Sequence, residues 1–437
     1  MATLTAKVVQ NPTTKKPAPG TRKHARLADV FGKNVSIDEN VVAKLPAGSQ
    51  IVSVTPGGPS LWVQTAVIEF RLPDQTIVQY FKKGASGDGG RKMVEGSFEG
   101  EKALHTFMPE HVPKPIAWGV HKSIPDTYFY LCEFVDMVDD VPDKRKWAGT
   151  VAKLHKRSSG KSPGGKFGFQ VATHLANVPI DNSWSDSWES FWAQQLSSMF
   201  QREEALRGPN DELSRLKTAY FEKVIPRLLR PLETEGRHVT PCLIHSDLWP
   251  GNIMHRRDND ELCMFDSCAY WGHHEADLGI CWNPRYKLGP PTRDAYLHFM
   301  PMSHPREDFE DRNALYAMKF HVLLSILYSD DALYRDILIQ RMRELVDKFP
   351  DGYAGYEAKR KQRGKPGKSR VDSTKSEDKR PQDIETEKKP ERLMHPLLLK
   401  FGALSPAMLL AIALAIVAVA VLQSSSLIFK RSASAQT

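Results

Sequence analysis

Residues 243–280 read LIHSDLWPGNIMHRRDNDELCMFDSCAYWGHHEADLGI. Carboxylates, histidines and asparagines crowd between apolar runs such as LCMF, which have the length and bounds of short buried strands. Polar crowding alone describes many surface loops, so the spacing has to decide. His245, Asp247 and Asn252 follow one another as H-x-D-x-x-x-x-N, and Asp266 stands 19 residues after Asp247, directly behind the second apolar run. A hairpin through residues 256–261 would bring the two segments together.

That arrangement suits phosphoryl transfer from ATP. The transfer needs a metal on the phosphates, a cation beside them, and a carboxylate that orients and deprotonates the acceptor hydroxyl. The spacing therefore predicts Asp247 as base, with Asn252 and Asp266 as ligands of the metal.

The preceding sequence offers the remaining parts in the order a kinase requires. Strand-like runs occupy residues 49–54, 61–72 and 76–83, joined by TPGGPS and PDQ turns, and a helical period over 96–108 follows. Two more strand-like runs, IAWGV and YFYLCEFV, complete a small mixed lobe. Gly57 and Gly58 are either a cover for the phosphates or a plain hairpin turn. Lys82 is expected on the phosphates, with Lys83 as its competitor, because alternation turns only one of the two inward. Glu101, or else Glu99, would orient that lysine. Glu133, Phe134 and Val135 are expected to connect the lobes and face adenine with their backbone. From Trp147 onward the pattern turns helical, interrupted by the strands and loops of the quoted stretch.

With those residues in place, HSDLWPGN followed by FDSCAYWGHHEADLGI resembles the fructosamine 3-kinase (ketosamine kinase) family. The intervening AKLHKRSSGKSPGGKFGFQVATHLANVPIDNSWSDSWESFWAQQ resembles it too. The resemblance covers roughly residues 38–349. It implies an α+β, bilobal protein-kinase-like fold with a β-rich N-lobe and a helical C-lobe, shared with aminoglycoside and choline kinases. It implies ATP and Mg2+ as cofactors, and phosphorylation of the sugar 3-hydroxyl of ribulosamines or fructosamines on glycated proteins or small ketosamines. The unstable 3-phosphate then leaves, and the amine is regenerated. Asp277 would be structural. Trp249, His274 and Glu275 fall at family motif positions, the last two either approaching the sugar or capping a helix. Trp184 lies on the acceptor side, where it either stacks on sugar or belongs to a core with Trp188 and Trp192. His155 reads as a structural hydrogen-bonder.

Two departures stand out. Ser246 occupies a position that is usually Gly, which would strain the loop if the backbone there needs a positive φ. Ser267 and Cys268 replace the usual Pro and Ala. Other readings remain: a small-molecule kinase of the aminoglycoside or choline type, or a tethered pseudokinase. Against the last, Lys82, Asp247, Asn252 and Asp266 are all present.

The formal charge of +8 over 437 residues has the sign that suits a nucleic-acid partner. Residues 359–392, however, carry 13 Lys/Arg against seven Asp/Glu, a net of +6 that leaves +2 elsewhere, so no nucleic-acid partner is expected. Five cysteines form no CxxC pair and read as reduced, buried thiols. The expected organisation is a disordered basic arm (1–34), an N-lobe (35–136), a C-lobe (137–356) and a charged disordered linker (357–396). Residues 407–429 are long and apolar enough for a membrane span, which predicts a tail anchor with the kinase facing the cytosol.

Overall fold

The computed structural model describes residues 37–58, 60 and 62–363. The N-lobe starts with a short helix α1 (Glu39–Val42), capped by the Asp38 carboxylate, which accepts from the Asn40 N–H. Strands β1 (Gln50–Pro56), β2 (Gln64–Arg71) and β3 (Ile77–Ser86) precede helix α2 (Gly87–Phe107). Strands β4 (Pro115–Val120) and β5 (Thr127–Glu133) complete the lobe. All neighbours pair antiparallel in the order β1-β2-β3-β5-β4.

Apolar side chains pack on both faces of this sheet around β3. Val78 and Tyr80 pack with Ile68, Phe70 and the α1 residue Val41, whereas Phe81 and Ala85 pack with Val94 of α2 and Tyr130. Side chains two apart share a face. Lys83 therefore lies on the α2 face with Phe81 and Ala85, and Lys82 on the α1 face with Tyr80.

The C-lobe opens with β6 (Met137–Val138) and α3 (Lys144–Ser158), followed by a hairpin of β7 (Thr173–Leu175) and β8 (Val178–Ile180). Helices α4 (Trp188–Arg207), α5 (Asp211–Ala219) and α6 (Ile225–Leu229) come next. The quoted stretch supplies four short strands, β9 (Cys242–Ile244), β10 (Ile253–Arg256), β11 (Leu262–Met264) and β12 (Tyr270–Gly272). Strands β10 and β11 form the expected hairpin, and β12 pairs with β9. Helices α7 (Gly289–Leu297), α8 (Phe309–Leu327), α9 (Ala332–Lys348) and α10 (Gly352–Arg363) finish the described chain. Trp147, Trp188, Phe191, Trp192 and Tyr316 lie fully inside its core.

Several expectations need correction. Helix α2 begins at Gly87, well before residue 96, because its glycines are used for close contact: a Cβ on Gly96 would lie 2.5 Å from the Ala172 carbonyl oxygen. Helices α8 and α9 are separated between Leu327 and Ala332, where Asp331 caps α9 by accepting from the Leu333 N–H. The last helix continues to Arg363, past the expected boundary at 356.

The membrane-anchored architecture and its cytosol-facing placement are also corrected. Among the described residues no helix is long and apolar enough to cross a membrane. The most apolar of the long ones, α8, carries Glu310, Asp311, Arg312 and Lys319. The stretch 407–429 itself lies outside the described residues, as do the arm 1–34 and most of the linker. The fold described is the bilobal α+β unit alone.

Candidate active site

Between the lobes lies a cleft whose described lining includes Trp62, Lys83, Val94, His174, Asp247 and Asp266. The loop after β9 brings Asp247 there. Asp277, buried beneath it, accepts from the backbone N–H groups of His245 (3.0 Å) and Ser246 (2.6 Å) and from His155 Nε2 (3.0 Å). These bonds fix the loop from below, so Asp277 and His155 are structural, as expected. His245 donates from Nε2 to the Phe265 carbonyl (3.1 Å) and accepts at Nδ1 from the Asp247 N–H (3.3 Å). Burial pushes its pKa down to about 4, and the ring is held neutral.

Asn252 closes the turn. Its Nδ2 donates to the Asp247 carboxylate (2.9 Å) and to the Asp247 carbonyl (3.0 Å), which orients both side chains together. Burial and the nearby Asp266 charge push Asp247 up to about 8, with the Asn252 bond opposing. Asp266, just past β11, has φ 58° and turns its carboxylate onto the cleft. There Lys83 Nζ meets Oδ1 at 2.6 Å. The Lys83 ammonium holds Asp266 below the usual carboxylate range. Burial would depress Lys83 in turn, but the charges of Asp266 and Glu101 hold it above the ordinary lysine range.

Glu101 is buried on α2. It accepts from the Asp266 N–H (3.0 Å) and from the Tyr130 hydroxyl, and burial raises its pKa. It thus joins α2 to the segment after β11. Gly100 allows the approach, since a Cβ there would lie 3.0 Å from Ser267 Oγ. Glu99 instead accepts from Gln170 Nε2 at 3.4 Å.

The remaining expected residues divide. Lys83, and not the expected Lys82, lines the cleft: Lys82 lies among groups of the opposite face, where burial lowers its pKa and the Asp38 charge partly opposes. Gly57 packs under the β1–β2 turn, its N–H on the Thr65 carbonyl (3.1 Å), and Gly58 takes φ 109°. It is Ser60, Trp62 and Val63 of that turn that reach the cleft. In the lobe connection the Glu133 N–H donates to Lys114 (2.8 Å) and the Phe134 N–H to Gln79 (3.1 Å), so these two donors are occupied; Val135 follows, buried.

His274 and Glu275 do not line the cleft. Glu275 accepts from Arg312 (2.8 Å) and the Ser303 N–H (2.7 Å), and His274 faces the Tyr296 and Ser303 hydroxyls. The trio His273, His274 and Glu275 offers metal-type ligand atoms close together, but these internal bonds already engage them. Trp184 is half-exposed and packs over Gly168, while Trp188 belongs to the core. Trp249 faces the Tyr286 ring, 5.9 Å between centroids, outside the described lining. Trp62 and His174 are cleft residues that the sequence did not single out; one lies in a turn and the other in a three-residue strand, too short for a periodic signal.

Comparison with known proteins agrees with this geometry. A model of the family "Fructosamine kinase" matches residues 64–347. The "Protein-ribulosamine 3-kinase, chloroplastic" of Arabidopsis thaliana is 29% identical over 237 residues, covering 54% of this chain and 66% of that protein. Its counterpart in Oryza sativa subsp. indica is 30% identical, with 64% of its own length covered. The chain thus spans slightly less than two thirds of these relatives. The mouse (Mus musculus) ketosamine-3-kinase is 30% identical over 179 residues, 41% of this chain and 53% of that one. The fold is matched by a solved structure from Thermobifida fusca YX-ER1 assigned as a fructosamine-3-kinase, with TM-score 0.52 and 22% identity, covering 69% of this chain and 95% of that chain. With the family match extending over most of the chain and both lobes, this protein belongs to the fructosamine kinase family.

Proposed function

We propose that the chain transfers the terminal phosphoryl group of ATP to the sugar 3-hydroxyl of ketosamines, ribulosamines or fructosamines, carried by glycated proteins or small amines. The amine is released when the phosphorylated sugar leaves. The observation that carries this reading is the joining of Asp247, Asn252, Asp266 and Lys83 at one cleft in a chain of this family.

In this reading Asp247, oriented by Asn252, accepts the proton of the attacking hydroxyl. Lys83 leaves Asp266 for the ATP phosphates, and Glu101 stands beside it to receive part of its charge. Glu133, Phe134 and Val135 lie where the lobes connect and would meet adenine. Trp62 and the glycine turn would cover the phosphates.

Asn252 and Asp266 would hold Mg2+, which would supply positive charge to offset that of the phosphates. The donor set fits: the bonds of Asn252 use only its Nδ2, which leaves its carbonyl oxygen, and the Asp266 carboxylate opens onto the cleft.

The test is Mg2+-dependent ATP consumption by the full chain with ribulosyl-lysine and fructosyl-lysine, beside Asp247→Asn. Turnover with loss of the sugar adduct, reduced by about 100-fold or more in the variant, is the expected result. ATP binding without stimulation by either ketosamine would overturn the substrate assignment and direct attention to aminoglycosides and choline.

A further inference from the structure

Ser246 adopts φ 64°, the left-handed region that favours Gly and that other side chains enter only at a steric cost. It precedes Asp247 directly, so its backbone sets where that carboxylate points. Its N–H is held by Asp277 at 2.6 Å, and its hydroxyl meets a second anchor: Lys319 Nζ donates to Ser246 Oγ at 3.1 Å.

Lys319 comes from the middle of α8 and is 1% exposed. Its ammonium also donates to the Tyr270 hydroxyl (2.6 Å) and stands over the Tyr270 and Trp192 rings, 4.4 and 5.2 Å from their centroids. Among the described residues no carboxylate lies within ion-pair distance of it. A buried cation without an ion-pair partner is costly to keep unless hydrogen bonds and ring faces compensate. Here both hydroxyl acceptors tie it to the segments that flank the cleft, one before Asp247 and the other after Asp266.

We infer that Lys319 is a positioning residue: through the Ser246 hydroxyl it holds the catalytic loop in the left-handed turn that aims Asp247 at the acceptor. This rests on the phosphoryl-transfer reading above. Ser at this position and Lys at 319 form one device, in which the hydroxyl offsets the freedom a glycine would have brought.

The test uses the full chain as Lys319→Met, Ser246→Ala, Ser246→Gly and Lys319→Met/Ser246→Gly. Lys319→Met and Ser246→Ala are each expected to lower kcat about ten-fold with the KM for ATP changed less than about two-fold. Adding Ser246→Gly to Lys319→Met should recover kcat to within about three-fold of the unsubstituted chain, because glycine takes the turn unaided. A folded Lys319→Met with unchanged kcat, or a loss that glycine does not relieve, overturns the inference. Should Lys319→Met not fold, Ser246→Ala carries the decision by the same kcat criterion. Hydrogen exchange of residues 245–252 separates this inference from the substrate assignment. If the unsubstituted chain turns over no ketosamine, faster exchange in Lys319→Met that Ser246→Gly suppresses still supports the device, and unchanged exchange overturns it.

Discussion

Lys83 Nζ lies 2.6 Å from Asp266 Oδ1, while its sequence neighbour Lys82 faces the other side of the sheet beside the charge of Asp38. Of the two, Lys83 lines the cleft, and under the proposed function its ammonium is the one that serves the phosphates. Lys83→Met should lower kcat/KM for ATP by about 100-fold or more, and Lys82→Met by no more than about three-fold. Steady-state kinetics of the two variants decide it, and equal losses would return the role to Lys82.

Gly96 has no room for a side chain, since the Ala172 carbonyl oxygen would lie 2.5 Å from its Cβ. Gly96→Ala must push α2 away from the segment leading into β7, at a cost of about 1–3 kcal/mol. Because α2 also carries Glu101, both the urea midpoint and kcat should fall. A variant as stable as the parent would show that the helix can shift freely.

Glu275 and Arg312 form a two-bond ion pair that is 0–1% exposed, with Arg312 also donating to the Ser303 and Pro305 carbonyls. Removing one partner leaves the other charged and buried, so Arg312→Met should cost about 3–5 kcal/mol in urea unfolding. Wild-type stability in that variant would mean the pair adds nothing.

His245 and His273 are buried and held neutral. Burial brings His245 to about 4 and, with the charges of His274 and Arg312, holds His273 well below the ordinary range. Folding with depressed histidine pKa values is most favourable above the unfolded value of about 6.5, where neither state binds the proton. As pH falls below that, the unfolded chain gains protons the folded one refuses. Each such histidine then removes up to about 1.4 kcal/mol per pH unit, for His245 until about pH 4. The raised carboxyl of Asp247 acts in the opposite sense below about pH 8, so the histidine effect is read in Asp247→Asn, whose urea midpoint should drop between pH 6 and 5. A flat profile through pH 5 would contradict the neutral, buried assignment.

The sequence by itself determined the catalytic half. His245, Asp247 and Asn252 lie within one loop, and Asp266 follows across a short hairpin, so their meeting depends on local chain geometry that spacing records. The succession of five strands with a helix after the third was equally legible along the N-lobe, because turns such as TPGGPS and PDQ separate the first three.

Tertiary structure decided what depends on faces and distant partners. Apolar residues of β3 pack on both faces, so Val78, Tyr80, Phe81 and Ala85 give no alternation to say which lysine turns inward; only the packing of α2 on one face does. His274 and Glu275 share the motif region with Asp277, yet Arg312 and Ser303 draw Glu275 into the interior and Tyr296 and Ser303 engage His274. Ser246 looked like a liability in a glycine position. Its compensating partner, Lys319, lies 73 residues further along, on a helix whose place only the folded core sets.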